Sequence, residues 1–277
     1  MLRVWTVTEL RAALQSMPRP VGLVPTMGAV HEGHLSLVKQ ARSDNATVVA
    51  TIFVNPTQFD ETQDLEHYPR PIEQDLALLE SEGVDLVFTP STDEMYHPGF
   101  MTTIHIEGPA REFEGAARPG HFDGVATVVA KLLLQSLPEV VYFGRKDAQQ
   151  VAVVRRLVSD LDIPVALAVM STIREHDGLA MSSRNVTLSE DQRRAAPALF
   201  LALSAMRDRY RSGMQNAVQL KEGCTALLTQ ELLFDLVDYV ALVDEETFIP
   251  WGGTGSCLLV AAVRMGSVRL IDNVVLD

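Results

Sequence analysis

The stretch VGLVPTMGAVHEGHLSLV, residues 21–38, changes character in its middle. Its first six residues form an apolar run without alternation, as expected of a strand covered on both faces. A helical pattern follows near 33–43. Between the two, Gly28 permits a tight turn and Gly33 a close approach of backbone to a ligand. The helix start has free N–H groups and the positive end of the helix dipole, so it attracts phosphate. His31 and His34 lie three apart there and face the same place, where imidazoles donate hydrogen bonds to phosphate oxygens and one supplies a proton. Surface histidines at a helix start are the bland alternative. A zinc reading of His31, Glu32 and His34 is weaker, because the spacing is not H-E-x-x-H and no third ligand is evident.

Outward from this stretch, the alternation of apolar run and helix continues. Candidate strands are 21–26, 47–54, 85–89, 139–143 and 164–170, with helical patterns near 33–43, 71–82, 123–136 and 147–160. That order predicts a doubly wound α/β domain with a parallel sheet, whose ligands sit outside the carboxyl ends of the strands. After residue 172 come a polar loop, helical stretches at about 189–210 and 215–234, and the strand-like segments DYVALVD and CLLVAAVRM. We expect a first domain over 1–172 that binds nucleotide and substrate, and a smaller α+β domain over 173–277.

The chain has 277 residues, 47% of them hydrophobic, enough for a real core. No run approaches the roughly 18 apolar residues of a membrane span, and the N-terminus lacks the pattern of a signal peptide. A cytoplasmic protein with no membrane partner is expected. Against 23 Lys and Arg stand 36 Asp and Glu, a net charge of −13 that disfavours nucleic acid as a partner. An anionic substrate then needs local positive charge, from Lys146, Arg145, Arg184, Arg118 or Arg111. Cys224 and Cys257 lie in apolar stretches and read as buried thiols.

Three further clusters fall at strand ends. In FVNPTQFDETQDLEHYPR, residues 53–70, Asn55 and Gln58 are amides suited to the hydroxyl and carboxylate groups of a small acid. In YFGRKDAQQ, residues 142–150, Lys146 suits a phosphate, Asp147 ribose hydroxyls or a helix cap, and Gln150 the substrate. MSSRN, residues 181–185, offers hydroxyls and a guanidinium in a loop. Each alone reads equally as an ordinary polar loop.

The four clusters, in this order and spacing, resemble the pantothenate synthetases of the nucleotidylyltransferase superfamily. The resemblance runs nearly end to end, through YPR at 68–70, GVDLVF at 83–88, RPGHFDGVATVV at 118–129, DGLAMSSRN at 177–185, DYVALVD at 238–244 and RLIDN at 269–273. It implies a Rossmann-like first domain, a second domain acting as a lid, a homodimer, and ATP-dependent joining of pantoate to β-alanine with release of AMP and pyrophosphate. It places ATP against Met27, Gly28, Ala29, Val30, His31, Glu32, Gly33, His34, Gly144, Arg145, Lys146, Asp147, Ile173, Met181, Ser182, Ser183 and Arg184. His34 is the implied proton donor, with His31, Lys146 and Arg184 stabilising charge on the phosphates. Gln58 and Gln150 match positions that hold pantoate, Gln58 borders the β-alanine position, and Asn55 is grouped with them. Mg²⁺ is expected with the triphosphate, and Asp75 is its candidate protein contributor. Where the family often reads GEKD this chain has Gly144-Arg145-Lys146-Asp147, which leaves the role of Arg145 open between solvent and the phosphate field. Two other functions stay open: a nucleotidylyltransferase with a stable nucleotide product, which the amides fit less well, and an ATP-sensing protein without turnover.

Overall fold

The computed structural model of the chain describes residues 1–59, 62–253 and 255–277. The backbone gathers into two units, one of Met1–Gly144 with Val153–Met170, the other of Arg145–Ala152 with Ser171–Asp277. The boundary is therefore crossed three times, and the turn after residue 144 folds with the second unit.

In the first unit the strands are β1 (Leu2–Val4), β2 (Val21–Thr26), β3 (Thr47–Ile52), β4 (Leu86–Phe88), β5 (Val140–Gly144) and β6 (Ala166–Met170). They form one parallel sheet in the order β1-β4-β3-β2-β5-β6. Winding runs outward from β2 to β3 and β4, then resumes on the other side of β2 with β5 and β6. The carboxyl ends of β2 and β5 thus flank the topological switch point, where a doubly wound sheet opens a crevice.

The helices of the first two-thirds are α1 (Val7–Ser16), α2 (Glu32–Asp44), α3 (Thr62–His67), α4 (Ile72–Ser81), α5 (Thr92–Met95), α6 (Glu114–Ala117), α7 (His121–Ser136) and α8 (Ala148–Asp160). Leu35, Val38 and Ala41 of α2 and Leu79 of α4 pack on Val24, Val48, Ala50 and Val87 of the sheet. Alternation along the strands turns Leu23, Val49, Leu86 and Val141, all fully buried, to the opposite face. Both faces are covered, which is why the strands read as unbroken apolar runs.

The second unit carries α9 (Glu190–Ala195), α10 (Ala198–Arg211) and α11 (Ala217–Leu228) against an antiparallel sheet of β7 (Leu236–Asp244), β8 (Cys257–Met265) and β9 (Val268–Leu276). Leu199, Leu203 and Met206 of α10 and Leu220 and Cys224 of α11 meet Leu259, Ala261 and Val263 of β8 in one core. Cys224 and Cys257 are free and buried, and burial pushes both thiols up to about 12.

Several boundaries differ from expectation for physical reasons. The stretch 189–210 is two helices, broken where Pro197 has no N–H to donate. The last helix stops at Leu228 rather than 234, and the chain turns so that Phe234 enters the core while Leu232 stays outside. The strands β1 and β9 and helix α1 were not anticipated. α1 has a sequence signature nonetheless: Thr6 and Glu9 form a capping box, each side chain accepting the other's backbone N–H.

Candidate active site

Thr26 ends β2, and the loop Met27–Val30 leads to α2 in a shape that few residues adopt. Gly28 and Ala29 have φ of +84° and +49°, and a Cβ on Gly28 would come within 2.9 Å of Asp75 Oδ2. Asp75, on α4 and 1% exposed, holds the loop in this shape. Its Oδ2 accepts from the Ala29 N–H at 2.9 Å and its Oδ1 from the Val30 N–H at 2.8 Å. Burial pushes the carboxyl above the usual carboxylate range, while the two N–H donors pull the other way. Both oxygens accept from the loop, so Asp75 is a support of the loop.

His31 is the N-cap of α2 and His34 its third residue, and the two form a capping box built from imidazoles. His31 Nδ1 accepts from the Gly33 N–H at 3.1 Å, and His34 Nδ1 accepts from the His31 N–H at 3.4 Å. A ring nitrogen that accepts a backbone N–H carries no proton, so each neutral ring keeps its proton on Nε2. The rings lie 4.1 Å apart between centroids. The helix start therefore presents two Nε2–H donors together, a pattern suited to anionic oxygen. Glu32 takes no part in this pairing and lies 3.6 Å from Lys39.

Beside this loop sits the 3-10 turn Pro56–Gln58 that follows β3, and Gln58 Nε2 reaches Met27 Sδ at 3.0 Å. Asn55 is 1% exposed and its amide is saturated within the protein. Its Nδ2 donates to Gln58 Oε1 at 3.1 Å and to the Gly124 carbonyl at 3.2 Å. Its Oδ1 accepts from Tyr96 Oη at 2.8 Å, Thr57 Oγ1 at 2.9 Å and the Thr57 N–H at 3.4 Å. Asn55 thus orients Gln58. Arg118, which caps the end of α6, and His121, the first residue of α7, hold the Gln58 carbonyl at 3.1 and 2.7 Å. A cavity of about 410 Å³ opens on the same edge, lined by Met27, Gly28, Phe53, Arg70, Asp75 and Ser91.

In the second unit, residues Arg145–Asp147 form a 3-10 turn that leads into α8, with Gln150 in its first turn. Asn273 of β9 holds this turn, its Nδ2 donating to the Arg145 and Lys146 carbonyls at 2.9 and 3.1 Å. Next to it Asp272 accepts both arms of Arg174 at 2.6 and 2.9 Å. Lys146 Nζ lies 3.4 Å from Asp147 Oδ1. Arg145 lies 3.2 Å from Glu245 Oε1, so its guanidinium is paired with a carboxylate. Ile173 and Met181 are brought together by the Met181 N–H to Ile173 carbonyl bond at 3.0 Å, on either side of the Arg174–Ala180 bridge. Ser182 caps the following 3-10 helix by accepting from the Arg184 N–H at 3.3 Å, and Ser183 and Arg184 open that helix.

The family model for Pantoate-beta-alanine ligase matches residues 3–275. The chain belongs to the pantoate-beta-alanine ligase family. It is 51% identical to the pantothenate synthetase of Roseiflexus sp. (strain RS-1) over 99% of both chains, and 50% identical to that of Gluconobacter oxydans (strain 621H) over 97% of both. A crystal structure of pantothenate synthetase from Thermus thermophilus superposes with a TM-score of 0.93 at 48% identity, over 99% of both chains. A pantoate-beta-alanine ligase from Francisella tularensis, complexed with beta-gamma ATP and beta-alanine, superposes at 0.81 with 34% identity, over 99% of this chain and 97% of that one. The protein is accordingly a ligase that forms an amide bond between pantoate and β-alanine at the expense of ATP.

Sequence reasoning singled out His31, His34 and Gln58 but not the residues that support them. Asp75 is 46 positions from Ala29, and Arg118 is 60 from Gln58. The one local signal was Gly124, an unexplained glycine in an apolar helix, where a Cβ would lie 2.3 Å from the Thr57 carbonyl oxygen.

Proposed function

We propose that the ligase works through a pantoyl-adenylate intermediate. The pantoate carboxylate attacks the α-phosphorus of ATP and expels pyrophosphate; the β-alanine amine then attacks the activated carbonyl and expels AMP. The observation that carries this reading is the histidine pair, whose backbone-fixed Nδ1 atoms leave both protons on Nε2 at a helix start. His34 supplies a proton to the departing phosphate oxygen, and His31, Lys146 and Arg184 stabilise the developing charge. Residues 27–34, 144–147, Ile173 and 181–184 make up the ATP set. Gln58 and Gln150 hold pantoate, with Gln58 bordering β-alanine. The substrate carboxylate does the first attack, so no protein nucleophile is required.

Among the described residues no cluster of three His, Cys, Asp or Glu is able to hold a metal ion. Mg²⁺ would accompany the triphosphate, keeping most of its water and phosphate oxygens, with Asp75 as the candidate protein contributor. We further propose a homodimer working in the cytoplasm. Among the described residues no helix is long and apolar enough to cross a membrane.

The test is one assay of ATP with pantoate, with and without β-alanine, following AMP, pyrophosphate and pantothenate. Pyrophosphate release in the first turnover without β-alanine is expected, with AMP and pantothenate appearing only when β-alanine is added. Pyrophosphate that waits for β-alanine would rule out the adenylate. Since the amine must be unprotonated, turnover should rise on the alkaline side of neutrality; a flat profile there would count against a free-amine step.

A further inference from the structure

Gln58 has an amide, and which end of it meets the substrate decides what it recognises. The answer starts from backbone groups, whose roles are fixed: a carbonyl accepts and an N–H donates. The Gly124 carbonyl lies 3.2 Å from one end of the Asn55 amide, which must be the NH2 end. The Thr57 N–H lies 3.4 Å from the other, which must be the oxygen. Asn55 Nδ2 therefore donates to Gln58 as well, at 3.1 Å, and obliges Gln58 to turn its own oxygen inward. Gln58 Nε2 is left on the side of Met27, where it contacts Sδ at 3.0 Å. A thioether is a weak acceptor, so this donor retains most of its capacity for a substrate oxygen.

The sense of this relay depends on how firmly Asn55 is held, and its firmest hold is Tyr96. The Tyr96 hydroxyl donates to Asn55 Oδ1 at 2.8 Å and lies 3.2 Å from Thr57 Oγ1. Its ring is fixed by Phe53 at 6.2 Å, by Phe100 edge-on at 5.1 Å and by Lys131 over its face at 6.0 Å. Burial pushes the phenol above its usual range, so the hydroxyl stays a donor through any working pH.

We propose that Tyr96 is a positioning residue for pantoate recognition, acting through Asn55 to lock the Gln58 amide with its NH2 toward the substrate. Tyr96 touches no substrate itself. The inference rests on the reading of Gln58 as a pantoate ligand, and a double-mutant cycle separates the two. Gln58→Ala alone should raise the KM for pantoate; if it does not, the reading of Gln58 fails and the inference with it. Tyr96→Phe removes one hydroxyl and keeps the ring. It should raise the KM for pantoate about three- to tenfold, the loss of one hydrogen bond, with kcat and the KM for ATP changed less than about twofold. In the Gln58→Ala background the same change should add less than about twofold, because its effect runs through Gln58. A Tyr96→Phe enzyme whose pantoate KM stays within twofold, while Gln58→Ala raises it, would overturn the inference. So would a Tyr96→Phe effect that persists undiminished without Gln58, since that is the mark of a general packing role.

Discussion

At Asp75 a single carboxylate sets the shape of the loop that leads to both histidines. Asp75→Asn keeps one oxygen for two N–H donors and turns an NH2 on the second, so a loss of about 1–3 kcal/mol is expected. Urea unfolding should show a lower midpoint at unchanged slope, together with a higher KM for ATP. An Asp75→Asn enzyme as stable as the parent would show that the loop keeps its shape without the carboxylate. His34→Ala belongs to the same scale but acts on the reaction: single-turnover adenylation should slow by about 10²-fold or more while pantoate affinity changes little. Undiminished adenylation would remove His34 from the chemistry. The histidines stood out in the sequence because the bonds that set the role of each Nδ1 are local, from residue 31 to 34. Asp75, Asn55 and Tyr96 were not legible in their roles, because the bonds that define those roles span 41 to 69 positions.

Among the elements, α7 and β9 support the site in ways their own sequences barely signal. Gly124 lets α7 approach the Pro56–Gln58 turn closely enough for its carbonyl to reach Asn55. Gly to Ala inside a helix ordinarily stabilises by up to about 1 kcal/mol. Here the added methyl would lie 2.3 Å from a carbonyl oxygen, so Gly124→Ala should reverse that sign and also weaken pantoate binding, read by denaturant midpoint and KM. A stabilised variant with normal KM would mean the helix slides without consequence. In the second unit, the Arg145–Glu245 pair sets up a charge test. Arg145→Glu should lower activity by placing like charges together, and Glu245→Arg added to it should restore most of the loss. A double variant no better than the single one would show that the pair does not hold the turn. Helix and strand interiors were read well from periodicity; β1 was missed because it is only three residues long, and β9 because it carries Arg269, Asp272 and Asn273 within an apolar run.

For the whole molecule, the parallel sheet was legible because its strands are buried on both faces, and their apolar runs show it directly. The placement of residues 145–152 was not, since a turn continuous with β5 and α8 in sequence folds with the second unit through hydrogen bonds from residue 273. Association was not legible either, because a monomer's surface also exposes apolar side chains, here Leu134, Leu137 and Leu201 among others. The proposed homodimer predicts a sedimenting mass of twice the monomer at micromolar concentration; a monomeric mass with full activity would refute it.

The hold of Asn273 on the Lys146 turn also bears on handling the gene. Ending the chain at Asp272 would delete a side chain whose two partners lie 127 and 128 positions upstream. Such a truncation should abolish turnover, and Asn273→Ala in the full chain should reproduce much of that loss without disturbing the β8–β9 pairing. A stop codon at position 273 should accordingly behave as a null allele.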